Sequence, residues 1–276
     1  MNKIKNTFFS NEELVTISSF KSKGYLIKKV ISKNDLDYLR KHVIEFTVKF
    51  FNFKRIPDNK YDWFLNNFHK NIKLNQLNNF RIKLYENLNS KSWFRPLYYN
   101  LIKKTLDSLV GNELAMQNMI NLSIQLPKDN TSLIDTHSDI FTGETPFQVV
   151  VWLPLVNVYK TKSMFINNIK FNKKVFKNFS KYSKGGLNNT YKKNKNQFNF
   201  LNLKFGEILI FSPILLHGNV KNITNETRWS FNSRFTGLFT PYTETPGNQK
   251  NLGNFYSPIN LRPISHVGLN YKNPID

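Results

Sequence analysis

Thr136-His137-Ser138-Asp139 and Leu215-Leu216-His217-Gly218-Asn219, followed by Arg228-Trp229-Ser230-Phe231-Asn232-Ser233-Arg234-Phe235, are the stretches on which the reading of this chain turns. Two imidazoles and one carboxylate make the ligand set of a facial triad, which grips Fe(II) and leaves positions open for a co-substrate and O₂. On an extended strand alternate side chains point the same way, so His137 and Asp139 can hold one metal from a strand end. His217 must then arrive from a distant strand folded back beside them. Eleven residues after His217, the run from Arg228 divides by parity. Arg228, Ser230, Asn232 and Arg234 share one face, and Trp229, Phe231 and Phe235 take the other. An arginine fork with a hydroxyl two residues on suits a terminal carboxylate. Arg234 lies six residues further along, roughly 20 Å of strand, and is read as an ion-pair or hydrogen-bonding residue of the structure.

Working outward, the period changes to two from Leu114. Gln117, Met119, Asn121, Ser123 and Gln125 share a parity, opposite Leu122, Ile124 and Leu126. An amide-rich face fits the inside of a barrel that holds a polar ligand, and Gln117, Asn121 and Gln125 become candidates to contact it. Pro127-Lys128-Asp129-Asn130 marks a turn, the next strand carries His137 and Asp139, and Gly143–Pro146 turns again. Phe147–Leu155 is a nearly continuous β-rich run of the kind buried on both faces, with Trp152 read as packing. The other histidines, His42, His69 and His266, sit in lysine-flanked helical or irregular stretches and are read as structural or solvated.

The first third reads helical. Ser10-Asn11-Glu12-Glu13 is a capping box; Ser32 with Asp35 opens a second helix bearing Leu36, Leu39, Val43, Phe46 and Phe50 at helical spacing; a third runs from Arg95-Pro96 to Leu109. The expected organisation is a single domain over 1–276: a helical buttress at 1–113, a β core at 114–240 and an irregular tail at 241–276. Within the core, 160–204 reads as an insertion or lid, and its stretch 167–200 is rich in lysine.

The chain has 276 residues, 25 Phe and 12 Tyr, ample for one large core. It has no cysteine, which excludes disulfides, thiolate metal sites and thiol nucleophiles and suits a reducing compartment. Its N-terminus turns acidic at Glu12-Glu13 before any long apolar run, a poor signal peptide. No apolar run is long enough to span a bilayer, so a cytoplasmic protein without membrane contact is expected. The net charge of +22 comes mostly from lysine spread along the chain beside abundant Asn, Ile and Phe. That mixture follows AT-rich coding rather than a nucleic-acid interface, which makes nucleic acid an unlikely partner. Between Glu144 and Glu207 there is no acidic residue at all, and the lysines there would attract an anionic substrate.

The order His-x-Asp, His and Arg-x-Ser resembles that of the Fe(II)- and 2-oxoglutarate-dependent oxygenases, and within them the phytanoyl-CoA dioxygenase-like branch. From Asn121 to Ile166, Asn-Leu-Ser-Ile-Gln-Leu-Pro, Thr-His-Ser-Asp, Thr-Pro-Phe-Gln and Val-Trp-Leu-Pro-Leu look like the oxygenases of bacterial surface-carbohydrate gene clusters. The resemblance spans about residues 115–240. It implies a mainly β fold with N-terminal helices, a double-stranded β-helix or jelly-roll, cupin-like barrel. It also implies Fe(II) held by His137, Asp139 and His217, and 2-oxoglutarate with its far carboxylate on Arg228 and Ser230. O₂ would be the oxidant, and the substrate a small molecule such as a sugar, an anionic sugar or a nucleotide sugar. Asp139 argues against a halogenase, which needs that ligand position vacant for halide. Two alternatives stay open: a nucleic-acid demethylase of the same chemistry, and a cupin-type protein that binds metal or sugar without oxidising it. Oligomeric state is not legible.

Overall fold

The computed structural model describes residues 7–242 and 250–272; the leader reading of residues 1–6 lies outside them. The Ser10 hydroxyl accepts from the Glu13 N–H, and the Glu13 carboxylate accepts from the Ser10 N–H, starting α1 (Asn11–Lys23). Gly24 ends the helix in the left-handed region, φ 78°. The chain then enters β1 (Tyr25–Lys29), a strand that the helical reading of 1–113 misses. Ser32 caps α2 (Lys33–Phe51) through the Asp35 N–H. Next come α3 (Tyr61–Asn66), α4 (Leu74–Asn89), α5 (Phe94–Asn100) and α6 (Lys103–Leu109). The continuous helix expected from Arg95 to Leu109 is thus broken at Leu101-Ile102.

The strands of the β region are β2 (Leu114–Gln117), β3 (Asn121–Gln125), β4 (Gln148–Pro154), β5 (Phe165–Asn167), β6 (Phe198–Phe200), β7 (Glu207–Phe211), β8 (His217–Gly218), β9 (Arg228–Gly237) and β10 (Tyr256–Pro258). The large sheet has the order β1-β7-β4-β9-β2-β10, with β3 also on β9; the small one is β6-β5-β8. Every strand pair is antiparallel. Of the expected mainly β fold, two antiparallel sheets and the N-terminal helices are present; no closed barrel forms among the described residues. The strand expected over 114–126 is two strands on one partner. Leu114 faces Gly237 and Asn121 faces Asn232, so this side of β9 carries two extra residues around Asn118–Ile120. The Asn89 side chain accepts the Ile120 N–H there.

Parity divides β9 as its sequence dictates. Trp229 meets Phe68 at a tilt, ring centroids 4.8 Å apart, and Phe231 meets Phe94 edge-on at 5.4 Å, anchoring the helical layer to the sheet. Each such fully buried side chain contributes roughly 1.5–3 kcal/mol. The opposite face turns towards the small sheet. β5 and β6, at the two ends of the 160–204 segment, are strands of that small sheet. Between them lie α7 (Ile169–Lys177), α8 (Phe179–Ser183) and α9 (Leu187–Lys193). Phe171 and Val175 of α7 pack with Phe165, Phe198 and Leu216 in a separate apolar cluster. Asn172 accepts from the Leu216 N–H and donates to the Ile214 carbonyl, tying these helices to the strand of His217. The tail adds β10 and α10 (Pro263–Leu269), so it is more regular than expected. No helix of the described residues is long and apolar enough to cross a membrane.

Gly24 is a sensitive hinge of this packing. A Cβ there would strain a backbone at φ 78° and sit 2.8 Å from Leu215 Cδ1, two residues before His217. The left-handed conformation alone costs a non-glycine residue roughly 1–2 kcal/mol. Gly24→Ala should therefore lower Tm by several degrees in thermal unfolding, whereas Gly111→Ala, at a left-handed position with nothing near its Cβ, should lower it less.

Candidate metal centre

His137 and His217 exchange both backbone hydrogen bonds, 3.0 and 2.9 Å, in an isolated antiparallel bridge. That pairing sets their rings 4.3 Å apart. Ser138 is extended (φ −120°, ψ 136°), and Asp139 then opens a 3₁₀ turn, Asp139–Thr142. The expected alternation therefore holds over one extended step and not along a strand. The Asp139 N–H donates to the Pro213 carbonyl and the Ser138 hydroxyl does the same, fixing the turn against the chain that leads to His217.

Each histidine directs Nδ1 at the carbonyl two residues before it: Asp135 at 2.7 Å for His137 and Leu215 at 2.9 Å for His217. A carbonyl can only accept, so Nδ1 carries the proton and Nε2 keeps its lone pair. Those two Nε2 atoms lie 3.3 and 3.8 Å from Asp139 Oδ1. Ligand atoms of all three residues fall within 4.8 Å of one another. Burial pulls the His217 pKa down to about 4, so its imidazole is neutral at pH 7, as a ligand must be. Burial opposes charge on His137 too, but the Asp139 and Asp135 contacts outweigh it and raise its pKa. Burial would also raise Asp139; the Arg234 guanidinium 3.0 Å from its Oδ2, with the two histidines, instead holds it well below the usual carboxylate range.

The triad lies in a cavity of about 480 Å³ between the sheets. Arg228, Asn121, Ser123, Asn232, Arg81 and Trp152 line it as well. Arg228 is buried and bonds Ser123 Oγ at 3.0 Å, while its Nε has no partner. It forms no ion pair with a carboxylate among the described residues. Burial, with the nearby charge of Arg81, lowers its pKa to about 10, so it remains a cation at pH 7. Ser230, opposite Ser123 in the β3–β9 register, is buried and its Oγ also lacks a partner. Asn121 donates to Asn232 at the cavity wall. The other two amides lie elsewhere: Gln117 accepts from Arg234, and Gln125 is fully buried and donates to the Val220 carbonyl.

Trp152, read from sequence as packing, faces the cavity opposite Asn232. Ser123 was within reach of the alternation argument, since it shares the parity of Asn121 and Gln125. Arg81 was not: it stands on α4 and arrives through bonds to the turn at Asp129–Ser132. None of the residues 167–200 lines the cavity.

No protein-family model matches the chain, and no curated protein sequence matches it. Solved structures do. A nickel complex of the non-haem monooxygenase ThoJ superposes with TM-score 0.52 at 13% identity, covering 83% of this chain and 79% of that one. HygX from Streptomyces hygroscopicus, with nickel, 2-oxoglutarate and hygromycin B bound, gives 0.50 at 12%, covering 87% and 94%. SnoK, a non-haem α-ketoglutarate-dependent carbocyclase from nogalamycin biosynthesis, gives 0.52 at 12%, covering 88% and 89%. The chain shares their fold.

The purified protein should take up about one divalent first-row metal per chain. His137→Ala and His217→Ala should each remove tight binding in an equilibrium titration followed by elemental analysis, and His266→Ala should not. Unchanged metal content in both triad variants would refute the site.

Proposed function

We propose that this chain is a non-haem Fe(II)- and 2-oxoglutarate-dependent oxygenase acting on a small molecule, a sugar or sugar derivative of surface-polysaccharide or natural-product biosynthesis. One observation carries the reading. A His-Asp-His cluster presenting two Nε2 atoms and one carboxylate oxygen shares a cavity with a buried arginine that forms no ion pair with a carboxylate among the described residues. The donor set, two imidazoles and one carboxylate, fits Fe(II) and is too small to saturate an octahedral ion. When bound, that ion would couple oxidation of substrate by O₂ to conversion of 2-oxoglutarate into succinate and CO₂.

The chain's own residues bind, orient and exclude. His137, Asp139 and His217 would hold the metal at one part of the cavity. Arg228 would take the far carboxylate of 2-oxoglutarate through its free Nε–H, with the Ser230 hydroxyl as a neutral donor beside it. This would account for a buried guanidinium Nε–H and a buried hydroxyl that have no hydrogen-bond partner among the described residues. Leu122, Leu133, Ile134 and Met164 give the cavity apolar walls that shed water. The Asn121–Asn232 bond leaves the Asn121 carbonyl, the second Asn121 N–H and the Asn232 NH₂ for other partners, suited to the hydroxyls of a sugar. HygX, with 2-oxoglutarate and hygromycin B bound together, supports a small-molecule substrate beside the co-substrate in this fold. The likeness of Asn121–Ile166 to oxygenases of surface-carbohydrate gene clusters supports the sugar class. A phosphate or nucleotide substituent would meet the lysines of 167–200 outside the cavity lining.

Arg228→Ala decides the co-substrate assignment. Removing one partner of a buried charged contact costs about 2–5 kcal/mol, which is about 30- to several-thousand-fold in affinity. The Kd for 2-oxoglutarate, measured by calorimetry on metal-loaded protein, should rise by that factor while the metal stays bound. Ser230→Ala should show a smaller rise. Wild-type protein with Fe(II) should release succinate from 2-oxoglutarate under air. An Arg228→Ala variant with wild-type 2-oxoglutarate affinity would contradict the assignment.

A further inference from the structure

The two oxygens of Asp139 have different partners. Oδ1 faces the Nε2 atoms of both histidines, at 3.3 and 3.8 Å. Oδ2 accepts from Arg234 Nη2 at 3.0 Å. The same guanidinium donates from Nη1 to Gln117 Oε1 at 3.1 Å and sets Nε 3.2 Å from Glu144 Oε1. Two hydrogen bonds, to Asp139 and Gln117, with the Glu144 carboxylate beside its Nε, restrain this planar fork and with it the Asp139 oxygen it holds. Glu144 is itself fully buried and comes from the turn after Asp139. It is gripped by Lys250 at 3.0 Å, by the Tyr256 hydroxyl at 2.6 Å and by Gln148 Nε2 at 3.1 Å. The buried Asp139 and Glu144 are thus paired with the half-buried Arg234 and Lys250.

We propose that Arg234 is a positioning residue that confines Asp139 to one-oxygen coordination, and that the C-terminal segment, through Lys250 and Tyr256 on Glu144, holds Arg234 in place. The inference rests on the metal reading and goes beyond it. A carboxylate free to turn can chelate through both oxygens and take a fourth position on the metal. With Oδ2 bonded to Arg234, only Oδ1 is offered, and three positions of an octahedral ion stay open. It also gives the tail after Pro241 a purpose: β10 pairs with β2, which sets Tyr256 opposite Gln117, the other anchor of the same arginine.

The test uses Mn(II) alone on the full chain, reading affinity and the water-proton relaxivity of the bound ion, which counts its coordinated waters. Wild-type protein should show three waters. Arg234→Lys keeps the charge but cannot hold three partners at once. It should bind Mn(II) about 10- to 100-fold more weakly, the usual effect of losing an outer-shell partner, and lose about one third of the relaxivity per bound ion. Tyr256→Phe, which keeps every charge, should shift both quantities in the same direction by less. Gln117→Met reads the same two quantities should Arg234→Lys not fold. A purely structural ion pair would lower Tm and leave the water count at three. Wild-type affinity and relaxivity in folded Arg234→Lys, or in Gln117→Met in its place, would overturn the positioning role, and the same result in Tyr256→Phe would overturn the role of the tail. No Mn(II) binding by wild type, or undiminished binding by His217→Ala, would instead sink the metal reading itself.

Discussion

Reciprocal backbone hydrogen bonds between His137 and His217 bring together two imidazoles that lie eighty residues apart in sequence. The rest of the site depends on that bridge. It orients both rings with Nδ1 on a local carbonyl and Nε2 outward, and it places Asp139, one extended step on, beneath both. The bridge is short and has little stability of its own. Its support comes from the small sheet and from the helices α7–α9, whose Asn172 bonds the chain on either side of Leu215. Asn188 also accepts the Thr136 N–H. The lysine-rich segment, whatever it meets in solution, is therefore part of the scaffold of the histidines.

Charge is placed in this protein with an economy that follows from desolvation. A buried ion needs a partner, and breaking a buried pair typically costs about 3–5 kcal/mol. Asp139 and Glu144 satisfy this through Arg234 and the half-buried Lys250. Lys162, also fully buried, pairs with Glu226 and bonds Asn66, joining the helical layer to the loop before β9. Arg228 is the exception in the cavity: a buried cation with a hydroxyl for a neighbour and a spare N–H.

Much of this was legible in the sequence for identifiable reasons. The capping box at Ser10 and the cap at Ser32 are local chemistry and form as read. The parity of β9 follows from its alternating residues, and the structure keeps Arg228, Asn232 and Arg234 on the cavity side and Trp229 and Phe231 on the helix side. What escaped depends on distant partners. β1 is five residues without clean alternation, made a strand by pairing with β7. The break at Asn118–Ile120 leaves the alternation of polar residues intact, so it was invisible, yet it sends Gln117 to Arg234 and not to the cavity wall. Backbone separation along β9 sets Arg234 six residues beyond Arg228. It says nothing of the contact Arg234 makes with Asp139, which is set by tertiary packing.

The central claim is a metal held by His137, Asp139 and His217 alone. The most direct measurement is anomalous diffraction at the iron edge from crystals grown anaerobically with Fe(II). The account predicts one strong peak in the cavity, about 2.0–2.2 Å from His137 Nε2, His217 Nε2 and a single oxygen of Asp139, the usual span for nitrogen and oxygen ligands of such dications. A peak elsewhere, or one touching only one of the histidines, would contradict it.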